Sequence, residues 1–264
     1  MNHTTAGAAH NRPVERAEDT WGGAAEAYLK SSVHGDEAAL SRIVDLLKPS
    51  GGAYLDVAAG AGHCSYAIAP FVDVVVACDS SPGMLRLIHR EASNLGLHNL
   101  ITTRGTADRI PFRSGAFDGV VCRTAAHHFT DVQRFLAEAF RVLKAGQKAL
   151  VIDNVGNEDP DTDRRVHELE TLRDPTHVRC HTAKEWKRLA RRAGFWIDFE
   201  DVVSKPINAV EWLNRLNVEE PRRSEALFMI EDASGWFREH LRPHGSGDLL
   251  TFHLNELTLL LSKP

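Results

Sequence analysis

The sequence predicts an α/β fold, a doubly wound parallel sheet with helices on both of its faces. Short, nearly all-apolar runs alternate with helix-compatible segments between residues 53 and 153, which is typical of strands buried on both faces and joined by helices. A turn with two glycines follows the first apolar run directly. No internal repeat interrupts the alternation.

The elements of this alternating region follow from apolar patterning and from start and stop signals. Ser81 and Pro82 open one helix and Gly96 ends it. The predicted strands are Ala53–Val57, Val72–Cys78, Leu100–Thr103, Phe117–Cys122 and Gln147–Asp153, and the predicted helices are Gly62–Ala69, Ser81–Leu95 and Asp131–Leu143.

The flanking regions have a different pattern. Residues 1–17 are polar and small, so we expect a disordered tail, and residues 18–264 are expected to form one domain. Its parts are a helical cap at 18–50, a core at 51–153 and a C-terminal part at 154–264. The C-terminal part is predicted to contain helices at Asp163–Leu172, Ala183–Ala193 and Ser224–Leu241, with a strand at Trp196–Val203.

The last segment, Leu249–Leu261, alternates apolar and polar residues, but the phase of the alternation slips at Asn255 and Glu256. A slip of this kind predicts either one long strand with a bulge at those residues or a hairpin corner.

Composition excludes several classes of function. The net charge of -5 offers no basic surplus for a nucleic-acid partner. No apolar run approaches the roughly 20 residues of a membrane helix, and the four cysteines form no CxxC pair. We therefore expect a cytoplasmic protein with no nucleic acid and no membrane insertion; a small-molecule partner and possible homodimers are separate expectations.

The glycine turn, YLDVAAGAGHCS from Tyr54 to Ser65, predicts a nucleotide-type cofactor, because glycines let the backbone approach a ligand closely. Asp79 ends the next strand nineteen residues beyond Gly60. A carboxylate there can accept hydrogen bonds from ribose hydroxyls; the alternative is that it only caps the following helix.

Two residues favour S-adenosylmethionine (SAM) over NAD. Ser65 stands where a dinucleotide fingerprint has a third glycine, and Asp56 precedes Gly60 by four residues. An acidic side chain suits the cationic amino-acid end of SAM better than a pyrophosphate. An NAD-dependent oxidoreductase stays the less favoured alternative.

From about residue 24 onward the chain resembles the class I SAM-dependent methyltransferases, in particular the small bacterial group near the ubiquinone/menaquinone C-methyltransferases. The segments that carry the resemblance are YLKSSVH (28–34), LDVAAGAGH (55–63), VVACDSSPGML (75–85), the stretch 105–131, RVLKAGQ (141–147) and LRDPTHVR (172–179). The resemblance implies a Rossmann-like seven-stranded sheet whose last strand is antiparallel, with helical cap elements.

The resemblance also implies roles for individual residues. Asp79 would bind the ribose hydroxyls and Met84 would pack on the adenine. Relatives carry aspartate where this chain has Thr106, so Asp108 is the alternative partner for the adenine amino group. The implied cofactor contacts are Tyr28, His34, Asp56, Ala58, Gly60, Gly62, Asp79, Ser80, Met84, Thr106, Ala107, Asp108 and Arg123.

The implied reaction is methyl transfer to carbon or oxygen of a quinone-like, phenolic or natural-product acceptor. His127 and His128 are the candidate bases; we expect one to face the pocket and one to be structural, and His127 is our choice. His177, Arg179 and Trp212 are the candidate substrate contacts. Histidine spacing fits no compact metal motif, so no metal is expected. A SAM-binding protein that does not methylate, whether catalyst or regulator, stays open.

Overall fold

The computed structural model describes Leu29 and residues 36–264. Tyr28, His34 and the expected tail at residues 1–17 lie outside the described residues. The strands are β1 (Ala53–Val57), β2 (Val74–Asp79), β3 (Leu100–Arg104), β4 (Phe117–Arg123), β5 (Leu143–Asn154), β6 (Trp196–Asn208) and β7 (Thr251–Ser262).

Within the described part, these strands form a seven-stranded sheet in the order β3-β2-β1-β4-β5-β7-β6. β1 to β5 pair in parallel, whereas β7 is antiparallel to both β5 and β6. The predicted doubly wound sheet with an antiparallel last strand is confirmed. Because β1 and β4 are neighbours, the strand order reverses between them, and ligands of such sheets bind beyond the strand ends at that point.

Helices cover both faces of the sheet. They are α1 (Glu37–Leu47), α2 (His63–Ile68), α3 (Pro82–Asn94), α4 (Val132–Val142), α5 (Pro160–Arg173), α6 (Ala183–Arg192), α7 (Ala209–Asn214), α8 (Arg222–Glu231) and α9 (Gly235–Leu241). The predicted start signals operate as expected. Ser81 accepts a hydrogen bond from the Met84 amide at the start of α3, and Asp131 accepts one from the Arg134 amide at the start of α4.

Three large apolar clusters lie in the described interior, beside a small fourth one of Ala61, Met84 and Leu87. One face of the sheet packs against α4 and α6, with Phe135 and Trp186 as large buried members. The other face packs against α1, α2 and α3, where Ile43 and Ile88 are buried. A third cluster joins α5, α7, α8 and α9 to the first half of β7 and forms a helical cap at one end of the sheet.

The prediction for the last segment is wrong. β7 pairs without a register shift at Asn255 and Glu256 on either side, and the irregularity in its pairing with β6 falls instead between Ile197 and Phe199 of β6. The apolar phase slips because β7 is covered differently along its length. Phe252 packs into the cap, whereas residues 257–261 are buried by the helices of the main sheet.

The cap also corrects two helix predictions. The expected helix Ser224–Leu241 is two helices, α8 and α9, separated at residues 232–234, and Gly235 has a φ of +56°. Helix α7, which carries Trp212, was not predicted. Its six residues are too few for a helical apolar period to show in the sequence.

Candidate active site

A cavity of about 250 Å³ opens at the carboxyl ends of β1, β2 and β4, beneath the cap. Of the cofactor contacts expected from the sequence, those that line it are Asp56, Ala58, Gly60, Asp79, Ser80, Met84, Thr106, Ala107, Asp108 and Arg123. The glycine turn, Asp79 at the end of β2 and the loop residues 106–108 thus lie on one pocket. The pocket is at the edge of the sheet where ligands bind in this kind of fold.

The two glycines of the turn have different roles. Gly60 lines the pocket with a φ of +54°, and a Cβ added there would meet no atom within 4 Å, so space is open in front of it. Gly62 does not line the pocket. It has a φ of +88°, and an added Cβ would lie 2.7 Å from Cζ of Tyr66. The missing side chain of Gly62 makes room for Tyr66, and its expected approach to the cofactor stays a prediction.

Asp79 links the turn to the end of β2. Its Oδ2 accepts a hydrogen bond from the Gly60 amide at 2.9 Å, and its Oδ1 accepts one from the Ser81 amide at 2.8 Å. The cap of α3 is Ser81 rather than Asp79. Since each carboxylate oxygen offers two lone pairs, Asp79 can hold the turn in place and still accept from ribose hydroxyls.

Asp56 is a buried carboxylate on the pocket wall, 2% exposed. Burial raises its pKa to about 7, and the hydrogen bonds from Ser65 offset only part of that effect. The Ser65 hydroxyl donates to Oδ2 of Asp56 at 2.7 Å. Ser65 therefore fixes the acid that the sequence suggested for the cationic end of SAM. A ligand ammonium group would stabilise the ionised form of this acid.

His127 follows β4 and is tied to the end of β5. Its Nδ1 lies 2.5 Å from Oδ1 of Asp153, and its backbone amide donates to Oδ2 of the same carboxylate at 2.8 Å. Burial acts to lower the pKa of His127, but the adjacent Asp153 charge and hydrogen bond outweigh it and the pKa is raised. With Nδ1 engaged, Nε2 is the nitrogen left to face the pocket that His127 lines.

His128 also lines the pocket but has a different environment. Its Nδ1 contacts the Thr176 carbonyl and hydroxyl at 3.2 and 3.1 Å. Burial and the charge of His127 lower the pKa of His128 to about 4. Both histidines thus line the pocket and differ in pKa, with His127 the stronger base of the pair.

The cap supplies the wall opposite the cofactor loops. Trp212 lines the pocket as expected, although its side chain is only 2% exposed. Sequence reasoning missed the neighbouring residues Arg173, Ile207, Arg215 and Leu254, together with Asn154 and the His127 partner Asp153. Arg173 belongs to the LRDPTHVR segment that resembles relatives, so that segment was the one signal available for it.

His177 and Arg179 are not among the residues that line this pocket, and their expected contact with substrate stays a prediction. Both border a separate small cavity instead. Arg179 is turned toward Glu185, with Nη2 2.9 Å from both carboxylate oxygens. The His177 ring is stacked on His127 at 5.6 Å between ring centroids. His177 thus packs against a residue of the pocket wall, and Arg179 forms an ion pair outside the pocket.

Among residues 36–264, no three metal-ligating side chains come together as a metal site would need. No helix in the described part of the chain is long and apolar enough to cross a membrane.

Comparisons with known proteins agree with the site. The sequence profile of a family described as "Methyltransferase domain" matches residues 55–151. The uncharacterized methyltransferase YcgJ of Bacillus subtilis is 34% identical over 187 residues, covering 70% of this chain and 73% of YcgJ. The crystal structure of YcgJ gives a TM-score of 0.80 at 28% identity and covers 86% of this chain and 99% of that one.

More distant proteins share parts of the sequence or only the fold. The ubiquinone/menaquinone C-methyltransferase UbiE of Blochmanniella floridana is 34% identical over 103 residues, 38% of this chain and 41% of UbiE. A geranyl diphosphate C-methyltransferase of Streptomyces coelicolor, solved with S-adenosyl-L-homocysteine, has a TM-score of 0.61 at 14% identity. It covers 87% of this chain and 81% of that one, a likeness in fold alone.

Proposed function

The chain belongs to the class I SAM-dependent methyltransferases, and from that premise we propose that it methylates carbon or oxygen of a quinone-like, phenolic or natural-product acceptor. The observation that carries this proposal is the His127–Asp153 pair on the pocket wall. An acceptor of this kind arrives with a proton on its hydroxyl or acidic carbon, and a base must remove it. The net charge of -5 supports a small molecule over a nucleic acid as the acceptor.

The core loops are suited to hold the cofactor. Asp56 would bind the amino group, Asp79 the ribose hydroxyls, and Met84, which is 2% exposed, would pack on the adenine. Thr106, Ala107 and Asp108 would meet its polar edge. SAM supplies a methyl group on a sulfonium that is already a good leaving group. The chain itself must therefore align the acceptor and exclude water.

His127 would take the acceptor proton on Nε2 while Asp153 holds Nδ1. Asp153 is thus a positioning residue that fixes the imidazole tautomer and stabilises the imidazolium once it forms. The raised pKa of His127 makes it a better base but keeps it protonated to a higher pH. We therefore expect the rate to increase with pH until His127 is neutral, and then to level off.

The test is mass spectrometry for a +14 product with a panel of phenols, quinols and enolisable ketones. We expect His127→Gln to reduce the rate by about 10²- to 10⁴-fold, the usual contribution of a general base, and His128→Gln to reduce it by less than about tenfold. Asp153→Asn should shift the pH–rate profile to lower pH. Full activity of His127→Gln would overturn the base assignment.

Cofactor binding measured alongside separates the alternatives. Tight S-adenosyl-L-homocysteine binding without any methylated product would favour a SAM-binding protein that does not methylate. A thermal shift with NADH but none with SAM would favour an oxidoreductase.

A further inference from the structure

The carboxylates that line the described part of the pocket lie on one side of it. Asp56, Asp79, Asp108 and Asp131 all belong to the core, where Arg123 also lies. The described cap residues on the wall are Arg173, Ile207, Trp212, Arg215 and Leu254, and these five include two guanidinium groups and no carboxylate. The core side can thus receive the cationic end of SAM, whereas the described cap residues offer positive charge.

We propose that the acceptor carries a carboxylate or phosphate group that Arg173 and Arg215 bind, with its apolar body against Ile207, Trp212 and Leu254. This inference rests on the proposed function, since it places the acceptor on the cap side of the same pocket. It goes further by naming an anionic group that a plain quinone or phenol lacks.

Arg173 is held in an orientation suited to this task. It ends α5, its Nε donates to the Trp212 carbonyl at 3.1 Å, and its guanidinium carbon lies 5.0 Å from the centre of the Trp212 ring. Stacking on an aromatic face restricts the side chain in advance, so less entropy is lost when it binds an anion. The planar fork of arginine matches the two oxygens of a carboxylate or phosphate.

Arg215 stands on the same helix face as Trp212. It directly follows α7, three residues after Trp212, and residues at that spacing are neighbours on a helix surface. Trp212 itself is fixed from behind by Phe252, with 5.1 Å between ring centroids. The two arginines therefore flank one flat aromatic residue, an arrangement suited to an anionic group on an apolar body.

A second role for Arg173 is available in the fold. Glu170 and Asp174 are buried beside it, 2% and 1% exposed, and the charge of Arg173 acts to lower the pKa of Glu170. If balancing these carboxylates were its whole purpose, replacing Arg173 would change stability without changing which ligands bind. The two roles therefore predict different results.

The experiment measures binding to the full-length protein saturated with S-adenosyl-L-homocysteine. Matched probes are 4-hydroxybenzoate, 4-hydroxyphenyl phosphate, and the neutral methyl ester of 4-hydroxybenzoate, with the series repeated on naphthalene and prenyl bodies. We expect at least one acid or phosphate to bind about tenfold more tightly than its neutral partner. Whether the acid or the phosphate gains more affinity over the neutral ester identifies the anionic group that the pocket binds.

Arg173→Gln and Arg215→Gln should each remove most of that preference and leave S-adenosyl-L-homocysteine affinity within about twofold. Arg164→Gln is the matched control, because Arg164 is exposed and pairs with Glu168 on the surface of α5. Equal binding of charged and neutral probes, or no binding by either, would overturn the proposal, as would an unchanged preference in Arg173→Gln. Loss of S-adenosyl-L-homocysteine binding in the wild type would instead count against the proposed function.

Discussion

Replacing Asp56 with asparagine tests the electrostatics of the cofactor site directly. The side chain is 2% exposed, and burial raises its pKa from 3.8 to about 7. Asparagine has nearly the same shape and can still accept the hydrogen bond that the Ser65 hydroxyl donates. The variant therefore removes the ionisation while it keeps the packing, and any difference that depends on pH reports the charge alone.

The magnitude follows from linkage. The change from 3.8 to about 7 corresponds to roughly 4 kcal/mol at ~1.36 kcal/mol per pKa unit. Because the folded pKa is the higher one, this stabilisation is fully present below pH 3.8, is lost as pH rises toward 7, and changes little above 7. Relative to Asp56→Asn, the wild type should lose roughly 2–3 kcal/mol of unfolding free energy between about pH 5 and pH 8.

Urea unfolding of both proteins at pH 5 and pH 8, without ligand, measures this difference. Asp45→Asn on the exposed face of α1 is the control and should show no such pH dependence. Saturating SAM should shrink the effect, because its ammonium group favours the ionised carboxylate. Calorimetry in buffers of different ionisation enthalpy should accordingly detect proton release on binding near pH 6. A difference between wild type and Asp56→Asn that stays constant with pH would refute the assigned burial effect.

Further substitutions separate binding from folding. Asp79→Asn should weaken SAM binding by about 10- to 100-fold, because one of the two oxygens that accept from the Gly60 and Ser81 amides becomes a donor; calorimetry measures it. Gly60→Ala should lower the free energy of unfolding by only ~1 kcal/mol. It should weaken SAM binding more than about tenfold, because the alanine methyl group enters the open space of the pocket. Gly62→Ala should destabilise the fold by about 2–3 kcal/mol through its clash with Tyr66, with SAM affinity nearly unchanged. Lys48→Gly should stabilise the protein by roughly 0.5–1 kcal/mol, because Lys48 ends α1 with a φ of +48°. Denaturant unfolding checks the last three.

The core of the fold and its cofactor loops could be predicted because their signals are local. A strand, a turn and a helix start lie within about a dozen residues, so one stretch of sequence shows the whole unit. Ser81 and Asp131 cap α3 and α4 where the sequence placed them. Most of the expected cofactor residues accordingly lie on one pocket.

Two features depend on packing that the local sequence pattern does not show. Gly62 has the same local sequence pattern as Gly60, and only the side chain of Tyr66 shows that its role is packing. The apolar phase of β7 slips because different helices cover the two ends of one unbroken strand. Neither cause can be read from residues next to the position in question.

The acceptor side of the pocket depends on one short segment, and the sequence does not show which of its residues line the pocket. In LRDPTHVR, the backbone amides of Val178 and Arg179 donate to the His127 carbonyl at 2.9 and 3.0 Å. Because of these hydrogen bonds, the end of the segment lies next to His127. The His177 ring stacks on the His127 ring, and Arg179 pairs with Glu185. The start of the segment remains on the pocket, where Arg173 meets Trp212.

The same few residues therefore support the base on one side and face the acceptor on the other. A change that moves the backbone of this segment should disturb both the choice of acceptor and His127, because the two functions share one stretch of backbone. Arg173 can be replaced without touching the backbone contacts to His127, which is why its substitution isolates acceptor recognition from proton transfer.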